Sequence, residues 1–322
     1  MRKILAWAGL CLACWIGPIG GAAAAYPEHP VHIIIGFPPG GAIDTIARLM
    51  APPLSQRLGQ SIIVENRAGA GGIIAAQQVV RSDPDGCTVL MGTMGNLSIS
   101  PMLVKDLNFD MDKDFTAVTV VASTAMVLYV NPKLPVHTVA ELIAYAKANP
   151  NRVNFSSSGN GGLPHMAGEM FNSATGLKLL HVPYKGSAPS VSDVVAGQVQ
   201  MTIEAPAIGL PLVQTGQLRA LATTGSRRMA VLPDVATVAE TVPGFEVMNW
   251  FGIVAPARTP ADSIARLQQA IAAVLADPGL QAKLAALGVD VVANTPQEAG
   301  KYMADERVRW AKVVKDAHIT IN

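Results

Sequence analysis

The sequence predicts an α/β protein built as two lobes, and three observations carry that prediction. Short β-branched runs alternate with helical patterns through glycine-rich turns. Two long extended segments, 116–130 and 245–255, flank one complete block of this kind, like paired connections between lobes. Half of the 322 residues are hydrophobic and only 15% are charged, which excludes disorder and supplies apolar surface for two cores. The 29 Gly and 23 Pro follow no period, so a collagen-like or low-complexity chain is excluded as well. A net charge of +1 gives no field for holding nucleic acid.

The chain opens with a three-part export pattern. Arg2 and Lys3 precede an uncharged apolar stretch over 4–17, and Ala23-Ala24-Ala25 ends an A-x-A-like site before Tyr26. Residues 1–25 are therefore expected to be a cleaved signal peptide and the mature protein to be periplasmic, without membrane insertion. A membrane anchor is the alternative, but Pro18, Gly20 and Gly21 interrupt a run already short of the ~20 residues a span needs. Cys11 and Cys14 leave with the leader, so Cys87 remains alone, at the start of a strand where a small buried hydrophobe is the expected role.

Val31–Ile35 is the first strand, and Asp44 opens a helical pattern with Ile46, Ala47, Met50 and Leu54 on one side. A strand at 61–64, the turn Gly69-Ala70-Gly71-Gly72, a helix at 73–80 and a strand at 87–91 follow, a rhythm that predicts a parallel sheet. The extended segment 116–130 is expected to break at Ser123-Thr124. The second block runs as helix 139–147, strand 153–155, turn 156–162, helix 166–173, strand 177–182, helix 189–196, and strands 199–203 and 218–223. Three helices, at 261–276, 278–287 and 296–316, close the chain. The expected boundaries are 26–127 with 247–322 for a discontinuous first lobe and 128–246 for the second.

The turns at strand ends hold the candidate chemistry. Phe37-Pro38-Pro39-Gly40-Gly41-Ala42-Ile43-Asp44 joins the carboxyl end of a strand to a helix start, the edge where open α/β sheets bind ligands. Its glycines let a ligand approach the backbone, and free amides at the helix start favour an anion. Asp44 is read as a helix cap rather than a catalytic acid. Ser156-Ser157-Ser158-Gly159-Asn160-Gly161-Gly162, with His165 beyond it, is the second candidate edge; ordinary Ser/Asn capping is the alternative. His165 and Glu169 share a helix face but do not make a metal site by themselves. His181 is read as structural, and Glu204 as a carboxylate near the inter-lobe edge that binds a ligand amine or hydroxyl or caps a helix. Walker A, G-x-G-x-x-G, G-x-S-x-G and H-E-x-x-H patterns are missing, so neither an enzyme nor a cofactor is expected.

Phe37-Pro38-Pro39-Gly40-Gly41 with Asp44, Val64-Glu65-Asn66-Arg67-Ala68-Gly69-Ala70-Gly71-Gly72, and Asp83-Pro84-Asp85-Gly86 form an ordered series. It continues through Ser157-Ser158-Gly159-Asn160-Gly161 with His165, His181-Val182-Pro183-Tyr184-Lys185-Gly186, Leu232-Pro233-Asp234-Val235 and Trp250-Phe251-Gly252. Together they resemble the substrate-binding receptors of tripartite tricarboxylate transporters, the Bug family. The resemblance implies a type II periplasmic-binding-protein fold whose two lobes close over a small carboxylate or related amide. It implies ligand contacts from Phe37, Gly41, Ala42, Ile43 and Asp44; from Thr93 and Asn96; from Ser157, Ser158, Gly159 and His165; and from Tyr184 and Gly186. Glu204 and Ala205 would lie at the ligand's far end. A monomer that delivers its ligand to membrane permease subunits is the preferred reading, and a ligand sensor signalling to a membrane protein is the alternative. Two departures stand out: Pro52-Pro53, expected to kink or split the first helix, and Cys87, where the family commonly has Tyr.

Overall fold

The computed structural model describes residues 26–104 and 107–316; the expected leader and its cleavage site at Ala25 lie outside the described residues. β1 (Val31–Ile35) leads through the 36–41 turn into α1 (Ala42–Leu58), and β2 (Ile62–Asn66) leads through a glycine turn into α2 (Ile73–Val80). β3 (Thr88–Thr93) runs into a π-helical turn at Gly95–Ile99 and the short α3 (Ser100–Leu103). β1 pairs in parallel with both β2 and β3, so each of its faces needs a cover. Ile34 packs with Ile73 and Ala76 of α2, while Ile33 and Ile35 share a core with Ile46, Ala47, Met50 and Leu54 of α1.

Despite Pro52 and Pro53, α1 is one continuous helix, so the expected split does not occur. Each proline removes one amide donor. Pro52 is exposed, Pro53 is half-buried, and the buried stripe through Met50, Leu54 and Leu58 holds the helix to the core.

β4 (Phe115–Ala125) and β5 (Val127–Val130) follow each other almost directly but belong to different sheets. The break falls at Met126 and not at Ser123-Thr124, which β4 keeps because Ser123 and Thr124 pair with Trp250 and Asn249. Beyond it come α4 (Val139–Ala148), β6 (Asn154–Ser157), α5 (Leu163–Thr175), β7 (Leu180–Pro183) and α6 (Ser187–Ala196). β8 (Met201–Glu204), α7 (Pro206–Gln214) and β9 (Arg219–Thr223) complete that block. β10 (Met248–Pro256) then returns to the first sheet, followed by α8 (Ala261–Leu275), α9 (Pro278–Ala286), β11 (Asp290–Val291) and α10 (Pro296–Asp316).

Two lobes result. One holds a six-stranded sheet in the order β11-β4-β10-β3-β1-β2, the other a five-stranded sheet in the order β7-β6-β8-β5-β9. Both sheets are mixed rather than wholly parallel, because the strands that enter and leave the crossing region run antiparallel: β10 to β3 and β4, and β5 to β8 and β9. Thr224, fully buried, ties the crossings together. Its amide donates to Met126 O at 2.9 Å, its hydroxyl accepts from Met126 N at 2.8 Å, and Val247 N donates to its carbonyl at 2.9 Å. Three backbone segments thus meet at one small polar residue, with main-chain hydrogen bonds satisfied where neither sheet can supply them.

Candidate functional site

The carboxyl ends of β1 and β3 in one lobe, and of β6, β7 and β8 in the other, carry the turns singled out by sequence. In the first lobe the 36–41 turn is held from below. Asn66, at the end of β2 and in register with Ile35, donates to Phe37 O at 3.1 Å and to Asp44 Oδ1 at 3.0 Å. Asp44 is the third residue of α1 and does not cap its amino terminus; its Oδ2 reaches back to Gly40 N at 3.0 Å, and Arg48 Nε adds a 3.0 Å hydrogen bond. Burial raises the Asp44 pKa, but hydrogen bonds from Arg48, Gly40 and Asn66 outweigh it and hold the carboxyl below its ordinary value. Asp44 is therefore a charged brace for the turn.

Gly36 and Gly72 meet behind this turn. A Cβ on Gly36 would stand 2.5 Å from Gly72 Cα, and Gly72, at φ +96°, lies against Asn96. Only glycine permits that contact and that dihedral together. Asn96 Oδ1 accepts from Thr93 N at 2.7 Å, which fixes the β3 turn and leaves its buried Nδ2 without a partner. Phe37, Gly41 and Ala42 are half-buried around the helix start, and Ile43 points into the core.

In the second lobe one network organises the turns. Ser157 Oγ lies 2.6 Å from His181 Nε2 and accepts from Gly159 N at 3.2 Å. His165 Nδ1 accepts from Gly161 N at 3.0 Å, which assigns its proton to Nε2. His165 and His181 stack with centroids 3.9 Å apart, and Phe155 continues the stack at 4.9 Å from His181. Burial pushes both imidazoles down to about 4, with the neighbouring His165 adding to the effect on His181, so both rings are neutral near pH 7. These groups set the shape of the 157–162 turn. Tyr184 N donates to Ser157 O and Gly186 N to Ser158 O, each at 3.0 Å, so the β7 turn is laced to the β6 turn. The Tyr184 hydroxyl turns away to Asp193. Ser158 is half-buried, and its hydroxyl has no hydrogen bond within the described protein.

Glu204 ends β8 and is fully buried. Its Oε2 accepts from Ala205 N at 3.2 Å, but Oε1 has no partner. The Tyr129 hydroxyl is likewise buried and unpartnered; the register Val127↔Glu204 and Tyr129↔Thr202 puts both side chains on one face of the sheet. Burial pushes Glu204 up to about 7, while the Ser187 hydroxyl at the start of α6 and the Ala205 amide act in the opposite direction.

The helices that start at these turns share one property. α1 begins after Gly41, α5 after Gly162, α6 after Gly186 and α7 after Ala205, and no side chain caps any of them. Thr138 caps α4 and Asp277 caps α9, whereas α2 and α8 also start without a side-chain cap. Uncapped amides carry partial positive charge toward whatever sits at the strand ends. Among the described residues no hydrogen bond joins the turns of one lobe to those of the other. Two other concavities, of about 400 Å³ along α10 and about 900 Å³ beside α5 and β7, lie outside the set; only Glu169 and His181 reach the rim of the second.

Sequence reasoning missed Asn66, Gly72, Ser187 and Tyr129. Asn66 was visible as part of an ordered motif, but its role follows from the β1–β2 register and not from any local pattern.

A family model described as the tripartite tricarboxylate transporter family receptor matches residues 46–319. BugT of Bordetella pertussis is 36% identical over 318 residues, covering 98% of each chain. Among solved structures, an R. palustris protein with adipate superposes with a TM-score of 0.86 at 36% identity, over 92% of this chain and 99% of the other. MatC from Rhodopseudomonas palustris, with bound malate, gives 0.81 at 30% identity, over 90% of this chain and 100% of the other. The periplasmic binding protein BugD gives 0.83 at 32%, over 92% of this chain and 99% of the other. The fold is that of the periplasmic solute-binding proteins, and the chain belongs to the tripartite tricarboxylate transporter receptor family, among the Bug proteins.

Proposed function

We propose that the protein is a non-catalytic, monomeric receptor of the periplasm that captures a small carboxylate, or a related amide, between its lobes and delivers it to a membrane permease of the tripartite tricarboxylate type. The observation that carries this reading is the set of four uncapped helix starts at the strand ends of both lobes. A carboxylate accepts two or more amide hydrogen bonds there without a guanidinium partner. Relatives in complex with adipate and malate support the same class of ligand. Residues 26–127 with 247–322 move as one lobe and 128–246 as the other, turning about Met126, Thr224 and Val247. In the closed state the ligand contacts come from Phe37, Gly41, Ala42, Ile43, Asp44, Thr93, Asn96, Ser157, Ser158, Gly159, His165, Tyr184, Gly186, Glu204 and Ala205. Among the described residues no helix is long and apolar enough to cross a membrane, which accords with a receptor that hands its ligand to separate membrane subunits.

A thermal-shift panel of mono- and dicarboxylates, hydroxy acids, amino acids, amides and sugars tests the ligand class. A carboxylate at one hundred times its dissociation constant contributes about 2.7 kcal/mol and is expected to raise the melting temperature by a few degrees. Shifts from sugars or amines alone, with every carboxylate silent, would refute the anion site. Capture of permease subunits from membranes by the liganded protein separates delivery from signalling; capture of a sensor protein instead would overturn the transport role.

A further inference from the structure

The opposite edge of the first lobe holds a second cluster that the carboxylate site does not use. His29 precedes β1, while Asp85 and Cys87 precede β3, so all three lie at the amino ends of parallel strands whose carboxyl ends carry the turns described above. Among the described residues this is the one place where three side chains of His, Cys, Asp or Glu offer donor atoms within 4.8 Å of one another. His29 Nε2 stands 3.0 Å from Asp85 Oδ2. Asp85 Oδ1 accepts from Cys87 N at 2.7 Å, which fixes the carboxylate and leaves Oδ2 directed at the imidazole. Cys87 is 2% exposed, and burial together with the nearby Asp85 carboxylate raises the pKa of its thiol, an effect that a bound cation would have to offset. Tyr26 closes the cluster, its hydroxyl donating to Gly86 O at 2.8 Å.

We propose that His29, Asp85 and Cys87 form a binding site for one zinc ion, which clips the segment ahead of β1 to the turn ahead of β3. One imidazole nitrogen, one carboxylate oxygen and one thiolate sulfur are a borderline-soft donor set, suited to Zn²⁺ and poorly suited to Mg²⁺ or Ca²⁺. Around a tetrahedral Zn²⁺ the donor atoms stand about 3.5 Å apart. The three donor atoms already lie within 4.8 Å of one another, and His29 is exposed. On binding, the thiol proton leaves to solvent, the S–Zn bond forms, and a water takes the fourth position.

The test uses purified protein with a phosphine reductant, titrated with Zn²⁺ against a chromophoric chelator, and with Co²⁺ as a spectroscopic substitute. One equivalent of Zn²⁺ is expected to bind, and Co²⁺ is expected to give the near-ultraviolet absorption of a cobalt–thiolate bond. Cys87→Ser should abolish that band. His29→Ala, at an exposed position outside every strand, should keep the fold and weaken Zn²⁺ about 10–100-fold. Absence of the cobalt–thiolate band, or a Zn²⁺ affinity unchanged in His29→Ala, overturns the site and leaves adventitious surface binding only.

Discussion

Ser158→Trp is expected to weaken binding of a small dicarboxylate about a hundredfold or more. The half-buried Ser158 hydroxyl has no protein partner, and the turn around it is immobilised by Tyr184 N to Ser157 O and Gly186 N to Ser158 O. A hydrogen bond to a charged group is worth about 1.5–3 kcal/mol, and each 1.4 kcal/mol is tenfold in affinity. In the proposed closed state the indole would also occupy space between the lobes. Ser158→Ala, which removes the donor alone, should cost about tenfold. Calorimetric titration with the ligand found by the panel checks both; a Ser158→Trp protein that binds as tightly as the parent would place the carboxylate elsewhere.

The second large effect is on stability and concerns Glu204. Its carboxyl has an ordinary value of 4.5 and is pushed to about 7 by burial. A group raised in the folded state contributes fully below its unfolded value and loses that contribution as pH rises through its folded value. The window is therefore about pH 4.5 to 7, and the loss is about 3 kcal/mol at about 1.4 kcal/mol per pH unit. Glu204→Gln mimics the protonated form and should erase this slope. Denaturant unfolding at pH 5 and pH 8.5 is expected to show the variant gaining about 3 kcal/mol on the parent at the higher pH. Equal pH dependence in the two proteins would mean that Glu204 is ionised and paired in solution. With ligand present, the same carboxyl in its protonated form has a hydrogen to donate, so carboxylate affinity of the parent should fall above pH 7 while that of the variant stays level.

Much of the fold was legible because hydrophobic periodicity dominates these segments. The helix at 73–80 coincides with α2, and the three closing helices fall within a residue or two of α8, α9 and α10. α7 was missed: Pro206 and Pro211 disguise a helix whose first proline sits where no amide bond is lost. The split expected in α1 did not occur because tertiary packing of one face outweighed two missing amide bonds. The wholly parallel sheet failed because local rhythm says nothing about the direction in which β5 and β10 cross between lobes.

The candidate site divides the same way. Glycine and serine turns at strand ends were visible as motifs, since turn chemistry is local. The braces behind them were not: Asn66 with Phe37 and Asp44, His181 with Ser157, and Gly72 with Gly36 are joined by strand register across distant sequence. The expectation that Asp44 caps α1 picked the right neighbourhood and the wrong partner, Gly40 standing one residue before the helix cap.

If the uncapped helix starts of both lobes hold the carboxylate, their backbone amides sense the ligand directly. Amide proton and nitrogen shifts measured by NMR during titration with a stabilising dicarboxylate report this contact. The amides of Ala42 and Ile43 in one lobe, and of Leu163, Ser187 and Ala207 in the other, are expected to move downfield together and saturate with one dissociation constant. Shifts confined to one lobe, or a saturating ligand that leaves these amides where they were, would contradict it.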